Sequence, residues 1–395
     1  MKSSHTQRVE ISAKALTFAA HASFVPIGIV TVLLGPMLPA LSARWSLNEA
    51  QAGLLFTAQF IGSSCGVAAS GIVVSKWGYR VAIAAGLMAM SLGVAVLLHG
   101  SRDVGAMCVA CYGFGSGVAV PAANLLVAEI NPTRRSGALS RLNFSWSLGS
   151  VICPFLVAAA AGSIQIMLAA ISVFLLLVAI CIALIPSSDS SSQSAYDAAR
   201  AKMLLPSKPR HVPVLAGLFF LYVGTEVAFG GWVASYAKGL AAMPAAWYVM
   251  SPAFFYGALM IGRWLAPWVL HRIEDVKLAR VGIVVACAGV AGMIWSHGLA
   301  GVVVSAAVAG LGFSAVYPIM ISLLSRECGT SAARVGAIMF TLSNLGGAVL
   351  PWLVGFTGQC FSNLKAGLAV PLVAAIMMFA LYSVNWNAES NPHHQ

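Results

Sequence analysis

Pro213-Val-Leu-Ala-Gly-Leu-Phe-Phe-Leu-Tyr222-Val-Gly-Thr-Glu226-Val-Ala-Phe-Gly-Gly-Trp232-Val-Ala-Ser-Tyr-Ala237 is an unbroken apolar run that carries one charged side chain. Roughly 20 helical residues, rising about 1.5 Å each, cross the ~30 Å of hydrocarbon in a bilayer, and this run exceeds that length. It has no polar face to offer water, so it reads as a membrane-spanning helix. The charge says more. A carboxylate at membrane depth costs about 3 kcal/mol or more unless it is protonated or paired, so an acid there marks a functional candidate. Glu226 has about twelve residues of helix on either side, which places it near the bilayer midplane.

The rest of the chain matches this run. Of its 395 residues 59% are hydrophobic and only 8% are charged, against roughly 25% charged in soluble domains, too few to cover a water-facing surface. Twelve apolar runs are long enough to span: 15–41, 48–75, 81–99, 103–129, 137–162, 164–186, 213–237, 245–270, 277–297, 299–325, 334–358 and 364–386. The first is too long for a cleaved secretory signal and lacks a small-residue cleavage site, so it is expected to remain as a span. The long polar interruption opens Ser187-Ser-Asp-Ser-Ser-Ser-Gln-Ser194, a composition that cannot bury itself. The fold expected is therefore all-α and membrane-embedded, with twelve transmembrane helices in two pseudo-symmetric bundles. Residues 1–186 form the first bundle, 187–212 a cytoplasmic linker and 213–395 the second.

The two halves share landmarks. Gly113, Gly115 and Pro121 recur as Gly310, Gly312 and Pro318, and Leu148-Gly149, Pro154 and Leu156-Val157 recur as Leu345-Gly346, Pro351 and Leu353-Val354. Both sets stand 197 residues apart. Six spans per half make the repeats parallel, one of the two repeat symmetries of secondary transporters.

A net charge of +11 invites a nucleic-acid reading, but the positions of the charges reject it. With both termini cytoplasmic, Arg44, Arg102, Lys238 and Lys365 face outward and the other Lys and Arg side chains face inward, the positive-inside bias. The expected location is a bacterial inner membrane. Eight cysteines give no disulfide framework, and Cys108-x-x-Cys111 has no further ligands within reach, so both are read as packing residues and no metal or cofactor is expected. No P-loop, paired acids or metal cluster is present, which argues against an enzyme or an ATP-driven pump.

Twelve spans in a six-plus-six arrangement resemble the major facilitator superfamily. Gly71-Ile-Val-Val-Ser75-Lys76-Trp-Gly78-Tyr-Arg80 is similar to its Gly-x-Leu-Ala-Asp-Arg-x-Gly-Arg-Arg/Lys signature, whose acid and bases latch the cytoplasmic side. Gly71, Lys76, Gly78 and Arg80 match, while Ser75 replaces the acid and offers only a neutral hydrogen bond. Gly257 and Gly262-Arg263 repeat the spacing of Gly66 and Gly71, and Arg263 resembles the Gly-Arg of the fucose-permease-like branch. The stretch from Tyr222 to Trp232 looks like the seventh helix of fucose/glucose-type permeases. The resemblance implies a sugar or small polyol as cargo and a cation, a proton or sodium, as driver. Members of that branch carry acids in helices one and four; with none mid-span there, proton handling falls on Glu226, with His21 as an assistant. Drug or metabolite efflux coupled to protons is the alternative within the same superfamily.

Other polar groups at span depth either glue helices or line a wet cavity. Tyr222 lies on the face of Glu226, while Asn143, Trp146, Asn344, Gln59, Tyr317 and Asn124 are further candidates for cargo contact. Gly71, Lys76, Gly78, Arg80, Glu129, Arg135 and Arg263 are candidates for a cytoplasmic gate. The expected partners are a small-molecule substrate, the coupling cation and lipid, without nucleic acid, and the chain is expected to act as a monomer.

Overall fold

The computed structural model describes residues 2–131, 135–160, 162–185, 211–240, 245–270, 272–328 and 332–383. Every regular element among them is helical. In chain order they are α1 (Lys2–Val32), α2 (Leu34–Trp45), α3 (Glu49–Val96), α4 (Arg102–Ile130), α5 (Arg135–Ala159), α6 (Ile164–Leu184) and α7 (Val212–Gly239). There follow α8 (Ala245–Leu270), α9 (Asp275–Trp295), α10 (Leu299–Phe313), α11 (Val316–Cys328), α12 (Ala332–Cys360), α13 (Leu364–Gly367) and α14 (Ala369–Tyr382).

These elements make the twelve expected crossings, and the discrepancies in count have local causes. Proline cannot donate to the carbonyl four residues back. The breaks between α1 and α2, α10 and α11, and α13 and α14 fall at or beside the carbonyls of Val32, Ser314 and Gly367 that Pro36, Pro318 and Pro371 leave unanswered. Conversely α3, at 48 residues, contains two spans. Gly62 packs beside Ala110 and Gly66 beside Phe114, so the first part of α3 runs parallel to α4. Gly86 packs beside Gly115 and Gly93 beside Cys108, so the second part runs antiparallel. The chain reverses at Gly78, whose φ of 82° and ψ of 170° lie where only glycine rests without strain. Gly78→Ala is expected to cost about 1–3 kcal/mol, read as a lower unfolding midpoint of the detergent-solubilised protein.

Glycines shared by the halves make equivalent close approaches. Gly149 of α5 meets the Val25 carbonyl of α1, and Gly346 of α12 meets the Phe220 carbonyl of α7. Gly113 of α4 meets Gln59, and Gly310 of α10 meets Phe255. Small residues allow helix backbones to touch where no hydrophobic drive separates protein from lipid. Large apolar side chains such as Ile61, Met88, Leu92, Ile166, Leu177, Val304 and Ile376 point outward, the surface of a protein solvated by hydrocarbon rather than water.

The halves touch along α3 with α12, α5 with α8, and α2 with α7. At one end the seam is tight. Gly53 packs on Trp352 and Phe60 on Gly347, while Thr57 Oγ1 donates to the Ala348 carbonyl at 2.8 Å. Gly35 packs on Gly231, the ring of Phe56 stands 6.3 Å from that of Trp232, and Lys238 Nζ donates to the Pro39 carbonyl at 3.5 Å. Toward the other end the seam opens. On α5, Asn143 lies on the same stripe as the buried Ser147 and Ser150, yet it is exposed. On α12, Asn344 shares a stripe with Ala348, Pro351 and Gly355, which are covered by α3 and its neighbours; Phe340, one turn before it, is uncovered. A helix face that is buried for two turns and then bare marks the point where its partner departs.

Candidate functional site

Glu226 occupies the middle of α7, and the structure gives it a partner that the linear reading did not. Arg263 Nη2 of α8 stands 3.4 Å from Glu226 Oε2, with side-chain exposures of 20% and 12% for the arginine and the acid. A long arginine near a helix end ordinarily snorkels to the membrane surface. Here it turns inward, because a half-buried carboxylate offers an attraction that water at the surface would screen. Arg263, expected among the cytoplasmic gate residues, thus lies beside Glu226, and Glu226 is half of an ion pair rather than a lone charge.

The pair is anchored from behind. Arg263 Nη2 also reaches Tyr222 Oη at 3.3 Å, and that hydroxyl donates to the Phe313 carbonyl of α10 at 3.2 Å. Tyr222 is fully buried, its ring 5.6 Å from Tyr317 and 6.2 Å from Phe313. Tyr222, expected among the cargo contacts, has its ring enclosed in the α7–α10–α11 packing, and its hydroxyl supports the pair. Tyr317 is half-buried beside it.

In front, the guanidinium carbon of Arg263 lies 6.0 Å from the ring centroid of Trp146, which belongs to α5 in the other half. This cation–π contact spans the seam. Trp146 is held by its Nε1, which donates to Thr31 Oγ1 of α1 at 3.0 Å. Glu226 Oε1 and Arg263 Nη1 take no hydrogen bond among the described residues, and Arg263 Nε is buried without one. An acceptor and unused donors therefore sit side by side at the junction of the halves.

The other expected residues sort by what they bond. Gln59 is buried; its Nε2 donates to the Thr31 carbonyl at 2.9 Å and its Oε1 accepts from Tyr112 Oη at 3.5 Å, so it ties α3 to α1 and α4. Asn124 Nδ2 donates to the Val120 carbonyl of its own helix at 2.9 Å. Asn143 makes the same in-helix bond to Leu139 at 2.9 Å but faces the open part of the seam. Asn344 of α12 is half-buried with no side-chain bond among the described residues. His21 Nδ1 pairs with Ser145 Oγ at 2.9 Å, a contact inside the first half rather than with Glu226.

Of the gate candidates, Gly71 and Gly78 flank and form the reversal, Lys76 Nζ lies 6.0 Å from the Trp77 ring centroid, and Arg80 is half-buried without an ion pair among the described residues. Ser75 Oγ donates to the Ile72 carbonyl within its own turn at 2.9 Å. Glu129 is half-buried; the side chain of Arg135 lies outside the described residues. Trp232 lies in the seam, its Nε1 donating to the Pro351 carbonyl at 2.9 Å. The signal that could have found Arg263 was present: an arginine inside an apolar run deserves the same suspicion as Glu226.

Residues 21–351 match the family model described as Major Facilitator Superfamily. The chain belongs to the major facilitator superfamily. It is 25% identical over 398 residues to a putative glucose/galactose transporter of Helicobacter pylori, covering 91% of this chain and 94% of that one. It is 22% identical to the sodium-dependent glucose transporter 1A of Mus musculus, covering 94% and 96%. Among solved structures, the E. coli fucose:proton symporter superposes with a TM-score of 0.63 at 19% identity, covering 93% of this chain and 97% of that one. The protein is thus a multi-pass membrane transporter, and it resembles the sugar-permease branch of its superfamily.

Proposed function

We propose that this protein moves a small polyhydroxylated solute, sugar-like in size, by alternating access and with a proton taken up at Glu226. The observation that carries the reading is the Glu226–Arg263 pair, half-buried at the seam, with Oε1 and Nη1 unused. A carboxylate oxygen accepts one hydroxyl proton while a guanidinium N–H donates to the next oxygen, the pattern that adjacent hydroxyls of a sugar require. Similarity to proteins named as glucose/galactose, glucose and fucose transporters favours the same cargo class.

The pair also supplies a coupling device. As an ion pair its net charge is zero, which lowers the cost of keeping it at depth. A proton on Glu226 turns an acceptor into a donor and leaves Arg263 to Trp146 and the cargo. The contact across the seam then differs between the two protonation states, and a cation that binds one access state better than the other drives transport. Residues 1–186 and 213–395 would rock as two bodies joined by 187–212. The proposed orientation is a bacterial inner membrane with both termini cytoplasmic, which makes the tight end of the seam the outer one. Asn143, Trp146, Thr31, Asn344 and Tyr317 would line the cargo path, and Gly71, Lys76, Gly78, Arg80, Glu129 and Arg135 would lie at its cytoplasmic mouth.

The test is uptake into proteoliposomes over a panel of sugars and apolar drugs, with a pH or a sodium gradient imposed separately. Accumulation of a sugar under the pH gradient is expected. Accumulation under sodium alone would reassign the driver, and drug flux without sugar flux would select the efflux alternative.

A further inference from the structure

A second carboxyl lies on the tight end of the seam, away from the site above. Glu49 opens α3, where Asn48 Oδ1 accepts from Gln51 N at 2.8 Å and Gln51 Oε1 accepts from Asn48 N at 3.2 Å. Its Oε2 exposes less than 1 Å² and has no hydrogen-bond partner. That oxygen is pressed against Gly358 of α12, and the Glu49 carbonyl against Gly355, so the covering surface comes from the opposite half. Leu364 of α13 and the Trp232 ring of α7 close the same spot, and Ala50 N donates to Gln359 Oε1 at 3.3 Å. The charged groups on the elements around it are Lys365 of α13 and Lys238 of α7. Neither forms an ion pair with Glu49, and Lys238 is spent on the Pro39 carbonyl.

We propose that Glu49 is a second proton-binding site, occupied when this end of the seam is shut and emptied when it opens. A carboxylate oxygen buried with neither donor nor cation beside it favours the neutral form, even though the Glu49 side chain as a whole is only half-buried. Once the halves part, the same side chain stands in water in the first turn of a helix, where the positive end of the helix dipole favours the ionised form. Closure and protonation are then linked, with one proton bound on closing. Acid on this side favours the shut seam, and alkali favours the open one. The glycine at 355 fits this role, because a side chain there would strike the Glu49 backbone carbonyl and hold the seam apart, while Gly358 leaves room for the carboxyl itself.

Spin labels at Asp103 and His297, on the same end of the two halves, would report the opening by pulsed dipolar spectroscopy in a background without native cysteines. In the full-length protein, the open-to-shut ratio is expected to rise with pH by up to about tenfold per unit, the limit for one proton. Glu49→Gln, isosteric with the neutral acid, should keep the seam shut across the range, and Glu49→Asp should restore a pH response. Glu226→Gln should leave that response in place, which separates this proposal from the function proposed above. Wild-type pH dependence in Glu49→Gln would overturn it, as would a distance distribution insensitive to pH in the unmodified protein. Loss of the response in Glu226→Gln alone would assign it to the central pair instead.

Discussion

Replacing Arg263 with alanine is expected to abolish cargo accumulation and to destabilise the protein by roughly 3–5 kcal/mol, because it leaves the Glu226 carboxylate half-buried without its cation. The same change unseats Tyr222 Oη, which loses one of its two partners, and empties the space over the Trp146 ring. Three helices and both halves therefore feel one side chain. The double variant Arg263→Gln with Glu226→Gln should recover most of the lost stability, since a neutral pair of matched size replaces a stranded charge. Transport should stay lost. A double-mutant cycle on the unfolding midpoint measures this coupling, and additive effects of the two substitutions would show that the ion pair contributes nothing to the fold.

Replacing Glu226 with glutamine is expected to separate binding from driving. The amide retains one acceptor oxygen and the side-chain volume, so cargo exchange across proteoliposomes under equal concentrations should persist. Proton-driven accumulation against a gradient should vanish, because no group remains at the pair to pick up and release the proton. Exchange in the variant should keep only the pH dependence that Glu49 contributes at the tight end of the seam. Accumulation that survives under a pH gradient, with an unchanged pH profile, would remove Glu226 from the coupling step.

These two side chains show how legible the site was. Glu226 stood out in the linear chain because an acid in an apolar run is costly wherever the helix ends up. Arg263 was visible for the same reason, but seven residues from the end of its helix it could equally reach outward, and only the packing of α8 against α7 decides its direction. Gln59 and Asn124, candidates for cargo contact in the linear chain, each donate to a backbone carbonyl, because a polar side chain in hydrocarbon takes the nearest acceptor. Glu49 drew no notice. It begins a helix at the water's edge, an ordinary place for an acid until the other half covers it.

Length and hydropathy determined the membrane class and the twelve crossings, since spanning requires a fixed length of apolar helix, and the shared glycine and proline landmarks 197 residues apart determined the two-fold repeat. Even the reversal at Gly78 and the prolines that interrupt helices are local facts of backbone chemistry. Tertiary structure decided which charges pair, which asparagines face a gap and which acid lies under a lid. Those outcomes depend on distances between helices far apart in the chain, where a few ångströms separate an ion pair from two unrelated charges.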